Sequence, residues 1–235
     1  MTPVDGPLSS NPYPFWTYED LALFLGAVLP SIALAALVVR ISRLSGDAAA
    51  GLLLYQSLTY ALLLGVLYLV ISGRYHQPFW RSLRWTGGYR GAWICAIAGP
   101  TLVFGTAILG VVLREPTIPS PLQNLITDRL SLVIAMLFVT ILGPVWEELL
   151  FRGFLFPLIA KSLGPWAGIV LTAAPFAALH GPQLHWTWQP VFIIGLVGIV
   201  FGYTRYRTGS TAASSIVHVS YNVTVAVAFL IQRGA

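Results

Sequence analysis

The sequence predicts an all-α fold, a polytopic transmembrane bundle of about seven to eight helices around an intramembrane polar site. Three observations lead there. Hydrophobic residues make up 57% of the 235 residues and charged residues only 9%, where a soluble domain carries roughly 25% charged residues. Apolar runs long enough to cross a bilayer, about 20 residues each, recur along the chain. The last of these runs are interrupted by glutamates, histidines and an asparagine, which hydrocarbon accepts only at a cost.

The runs follow one another in order. The first covers 21–39 and is closed by Arg40; the second covers 48–71. The third, 91–113, contains Gly99-Pro100, a pair that bends helices. The fourth starts near Leu130 and reads as helix through Lys161, softly broken at Gly143-Pro144. The fifth is 165–180, the sixth 189–206 and the seventh 210–232, with turns expected at Gly164 and Gly209. Residues 1–20 hold four prolines, three acids and no Lys or Arg, unlike the basic start of a signal peptide. They are expected to form an irregular tail, with Phe15, Trp16 and Tyr18 at headgroup level, ahead of a single transmembrane domain at 21–232. The stretch "YHQPFWRSLRWTGGYR", Tyr75 to Arg90, interleaves aromatics with arginines and reads as a surface anchor.

The chain has 13 basic and 8 acidic residues, a net charge of +5. Twelve of the basic residues are Arg, and they sit largely in short connections between apolar runs, where the expected partner is anionic lipid rather than nucleic acid. Cys95 is the only cysteine. It excludes an intrachain disulfide and reads as a small buried hydrophobe.

The polar residues of the C-terminal half carry the chemistry. In "GPVWEELLFRGFLF", Glu148 and Arg152 are four residues apart in the favoured acid-before-base order. They neutralise each other and are expected to support the site structurally. Glu147 points about 100° away and is expected to lack a partner, which leaves its carboxylate free for acid–base work. His180 ends "APFAALH" just before Gly181-Pro182. Taken alone it suits capping of helix carbonyls as well as a site. In "HVSYN", His218 and Asn222 share a face that Ser215 and Thr211 continue; a polar stripe of this kind also serves plain interhelical hydrogen bonding.

Depth combines them. Glu147 lies 17 residues before Gly164 and His180 lies 16 after it, so both stand roughly 25 Å from that turn. His218 and Asn222 lie 9 and 13 residues beyond Gly209, roughly 14 and 20 Å from the same side. A carboxylate and an imidazole sharing a water can deprotonate it, and a second imidazole with an amide can stabilise an oxyanion. That is hydrolysis of an acyl bond without a serine or cysteine nucleophile. The alternative is a zinc ion on Glu147, His180 and His218 with water as fourth ligand; HExxH is absent, and the residues alone leave both readings open.

"EELLFR", "FAALH" and "HVSYN" resemble, in this order, the EExxxR, FxxxH and HxxxN motifs of the CPBP family, which comprises type II CAAX prenyl proteases and bacteriocin-processing or bacteriocin-immunity proteins. The resemblance covers about 130–232, including the stretch "GYTRYRTGSTAASSIVH". It implies an intramembrane endopeptidase of about eight helices, multi-pass in a membrane, here expected in a prokaryotic plasma membrane. It implies water activation by Glu147 and His180, an oxyanion hole of His218 and Asn222, and support from Glu148 and Arg152. The metal-free design of the family's prenyl proteases implies no cofactor, with zinc as the alternative. The implied partner is a peptide or protein substrate, lipid-modified in some family members. A non-catalytic immunity or scaffold protein and a proton-linked transporter are the competing classes; the transporter is disfavoured because no internal repeat accompanies the polar residues.

Overall fold

The structure, a computed structural model, describes residues 13–42, 48–85, 91–118, 126 and 128–234. The described residues contain eight α-helices and no strand: α1 Tyr18–Ile41, α2 Ala48–Tyr68 with a π-helical extension Leu69–Arg74, the short α3 Phe79–Ser82, α4 Ala92–Val112, α5 Arg129–Leu163, α6 Pro165–His180, α7 Trp188–Thr208 and α8 Thr211–Gly234. Six of them, α1, α2, α4, α5, α7 and α8, are long and apolar enough to cross a membrane. The chain is an integral, multi-pass membrane protein. The fifth expected span, α6, has 16 residues and reaches about 24 Å, short of a full bilayer core.

The first helix begins earlier than the sequence suggested. Residues 18–20, assigned to the irregular tail, are helical because Thr17 caps the helix, its backbone N–H donating to Asp20 Oδ2 at 2.8 Å. Asp20 is fully buried and also accepts from Arg74 Nη1 at 3.1 Å and from the Tyr75 hydroxyl at 2.6 Å. The last two bonds join the start of α1 to the end of α2. Trp16 packs into the protein rather than outward. It is 1% exposed, stacks on Phe154 and donates its indole N–H to Phe154 O at 3.1 Å. The segment 1–12 lies outside the described residues, as do 86–90 and 119–125.

The core gathers around the second half of α5. Phe151, Phe154 and Leu149 pack there with Phe24 of α1, Leu67 and Ile71 of the α2 region, Phe176 of α6 and Phe201 of α7. Cys95 is buried in the same cluster. Helices α4 and α8 cross closely at Gly99, where any Cβ would collide with Ser220 and the Tyr221 backbone; a small residue at such a crossing is the usual membrane solution. Gly164 (φ +86°) and Gly209 (φ +66°) make the two expected turns in a left-handed conformation suited to glycine. The short α3 is tied to the start of α8, since Thr211 donates from its N–H to Arg84 O at 3.0 Å and from its hydroxyl to Leu83 O at 2.6 Å. Trp80, on α3, is 52% exposed.

Helix α5 carries two π-helical turns, Phe138–Leu142 and Leu149–Leu155. Both have the same cause. Gly143 N–H bonds Phe138 O, five residues back, so the next carbonyl, Val139 O, would need the N–H of residue 144. That residue is Pro144 and has none. Likewise Phe156 N–H bonds Phe151 O, and Arg152 O is left to Pro157. A buried carbonyl seeks another donor. Asn222 Nδ2 of α8 takes Val139 O at 2.7 Å, and Arg205 Nε of α7 takes Arg152 O at 3.2 Å. The soft break read at Gly143-Pro144 is thus a widened turn that accepts a side chain from a neighbouring helix.

Candidate active site

Four of the six residues singled out from the sequence line one cavity of about 680 Å³: Glu147, His180, His218 and Asn222. They arrive from α5, α6 and α8. The other two, Glu148 and Arg152, stand behind its wall with no exposed surface.

Behind the wall, Arg152 Nη1 donates to Glu148 Oε1 at 3.0 Å and Nη2 donates to Gly198 O at 2.8 Å. Its Nε finds no partner among the described residues. The guanidinium lies instead against three aromatic faces, 4.7 Å from the Phe176 centroid, 5.4 Å from Phe201 and 5.6 Å from Phe151, contacts that favour a desolvated cation. Glu148 accepts further bonds from the Ser214 hydroxyl on Oε2 at 2.5 Å and from His218 Nδ1 on Oε1 at 3.1 Å. A buried carboxylate needs such partners to remain charged.

On the cavity side, His218 Nε2 is 3.8 Å from Glu147 Oε2, so this imidazole bridges the two glutamates. Its ring stacks on Phe201 at 4.3 Å. His180 Nδ1 lies 2.8 Å from Phe176 O. A carbonyl only accepts, so Nδ1 carries the proton and the Nε2 of a neutral His180 is a free acceptor. Phe176 spaces the site: its ring centroid is 4.9 Å from His180 and 5.8 Å from His218. Gly198 permits this, because a Cβ there would stand 3.1 Å from the Phe176 ring. Asn222 spends one N–H on Val139 O and keeps a second.

The structure differs from the sequence reading in three places. Glu147 is not without a partner: His218 Nε2 stands 3.8 Å from its Oε2, and Tyr60 of α2 lines the same cavity. Ser215 and Thr211 do not continue the polar face into the site. Ser215 bonds Thr211 O and Thr211 bonds Leu83 O, whereas Ser214, four residues before His218, reaches Glu148. That residue was legible from i,i+4 spacing alone. Gln56 and Tyr60 were missed; two polar side chains in "LLLYQSLTY" were their only signal.

Among the described residues no set of three or more His, Cys, Asp or Glu side chains is placed to hold a metal ion. In each imidazole Nδ1 is already engaged, by Phe176 O and by Glu148, and His218 Nε2 is the nitrogen nearest Glu147.

Residues 129–224 match the family model for Rce1-like proteins, described as type II CAAX prenyl endopeptidase Rce1-like. The matched segment is similar to that family. The match contains all six site residues and agrees with the resemblance of the three motifs; residues 1–128 lie outside it. No curated protein and no solved structure matches the chain. The family that this segment resembles is described as an endopeptidase.

Proposed function

We propose that the protein hydrolyses a peptide bond within the membrane by a water activated between Glu147 and His180, without a metal ion. The observation that supports this most is the division of labour around the cavity wall. Glu147, His180, His218 and Asn222 face the cavity, while Glu148, Arg152 and Ser214 are fully buried and bonded to each other behind it.

The roles follow from which atoms remain free. The Nε2 lone pair of neutral His180 and the Glu147 carboxylate are acceptors for the two protons of one water. As the water oxygen attacks the carbonyl carbon, its proton passes to this pair. Negative charge then develops on the carbonyl oxygen. Asn222 offers its second N–H. His218 offers Nε2–H when the ring carries both protons, with Nδ1–H on Glu148. In that state the formal charges of Glu147, Glu148, Arg152 and His218 sum to zero, which is how buried charge is tolerated. The carbon–nitrogen bond breaks as the stored proton moves to the leaving amine, giving a carboxylic acid and a free amine, between which the acid proton then passes to leave carboxylate and ammonium. Fixed donors in a water-poor cavity need no reorganisation as the charge forms.

The substrate is a peptide presented at the membrane, and lipid-modified CAAX-type peptides are the first to test, in the prokaryotic plasma membrane that the sequence suggested. The experiment is cleavage of prenylated and unprenylated peptides by purified protein, with and without a strong zinc chelator. Cleavage that persists in chelator supports this reading. Cleavage abolished by chelator and restored by zinc contradicts the metal-free mechanism. No cleavage of any peptide moves the protein to the immunity or scaffold class.

A further inference from the structure

Helix α2 lies outside the Rce1-like segment, yet it sends two polar residues to the site. Gln56 and Tyr60 are one helical turn apart and both line the cavity with Glu147. Gln56 Nε2 donates to the Tyr60 hydroxyl oxygen at 3.1 Å. A phenol oxygen that accepts this bond keeps its own proton for another partner, and an ionised carboxylate can only accept. Glu147 lines the same cavity and directly follows Trp146, on which the Tyr60 ring stacks.

The ring has little freedom to move away. It stacks on Trp146 with centroids 4.3 Å apart and planes at 9°, and on Phe138 at 5.6 Å. Trp146 also donates its indole N–H to Tyr60 O at 2.8 Å. Trp146 precedes Glu147 in sequence, so these contacts bind the turn that carries Glu147 to the turn of α2 that carries Tyr60.

We propose that Tyr60 is a positioning residue for Glu147, itself oriented by Gln56. Its O–H holds one carboxylate oxygen and leaves the other directed at the water. The need is visible in the site: His218 Nε2 is only 3.8 Å from Glu147 Oε2. A carboxylate without an opposing donor would close on that imidazole when it is charged, and both groups would be lost to the reaction. This inference rests on Glu147 as the water-activating group.

The test is steady-state cleavage and thermal unfolding of the full chain as wild type, Tyr60→Phe, Gln56→Leu, the double variant and Glu147→Gln. Tyr60→Phe keeps the stack and removes only the hydroxyl. The expected result is a kcat about 10- to 100-fold lower, the loss typical of a hydrogen bond to a charged group, with KM within about twofold and Tm unchanged. Gln56→Leu lowers kcat less, and the double variant is no worse than Tyr60→Phe, because Gln56 acts through Tyr60. A wild-type kcat in Tyr60→Phe beside an inactive Glu147→Gln overturns the proposal and leaves the role of Glu147 standing. A lowered Tm with a raised KM also overturns it, marking Tyr60 as a packing residue. Wild-type cleavage by Glu147→Gln overturns both.

Discussion

Glu147 and Glu148 are adjacent in sequence and stand on opposite sides of the cavity wall. Glu148 is charged, fully buried and held by Arg152, Ser214 and His218. Removing one partner from such a pair strands the other charge, at about 3–5 kcal/mol. Arg152→Ala is therefore expected to lower Tm sharply in detergent-solubilised protein and to reduce activity as a consequence of instability. Ser214→Ala removes one bond to the same carboxylate and is expected to cost about 1–3 kcal/mol, read by the same unfolding measurement. At this scale much was legible. The i,i+4 relation of Glu148 to Arg152 and of His218 to Asn222 follows from sequence spacing, and so do the directions of Glu147 and Glu148. Tyr60 and Gln56 were not, because nothing in a leucine-rich run says which of its polar side chains meets a residue nearly 90 positions away.

The elements explain why Asn222 sits where it does. Pro144 deprives Val139 O of an intrahelical donor, and the Asn222 amide takes it. Pro157 does the same for Arg152 O, and Arg205 takes it. Replacing Pro144 by alanine gives Val139 O a backbone N–H again. Pro144→Ala is expected to release the Asn222 amide and lower kcat several-fold while Tm holds or rises; an unchanged kcat would show that the carbonyl does not orient Asn222. The sequence disclosed a break at Gly143-Pro144 but not its form. A proline inside a helix can kink, break or widen it, and here the donor that favours the widened turn comes from a helix almost 80 residues later.

Across the whole molecule, the N-terminal arm braces the back of the site. Trp16 bonds Phe154 O, Lys161 Nζ donates to Pro14 O at 2.8 Å, and Arg205 Nη2 donates to the Tyr13 hydroxyl at 3.1 Å. Arg205 also holds Arg152 O, so the arm reaches the buried support of Glu148 through one side chain. Trp16→Ala leaves a large cavity and is expected to cost about 3–5 kcal/mol, seen as a lower Tm. The aromatic cluster before the first span suggested an interfacial belt; burial was invisible because Trp16 stacks on Phe154, which lies far along the chain on α5. The order of the spans was legible from hydropathy alone, except for α6, whose 16 residues read as a full span although the helix is too short for one.

That Glu147 reacts while Glu148 holds is decided by a paired measurement, the cleavage rate and thermal midpoint of purified Glu147→Gln and Glu148→Gln beside wild type. Glu147→Gln is expected to keep a near-native midpoint and lose at least about a thousandfold in rate, the scale of a combined acid–base and electrostatic contribution. Glu148→Gln is expected to lose several degrees in midpoint. A folded Glu147→Gln that cleaves at the wild-type rate would contradict the account.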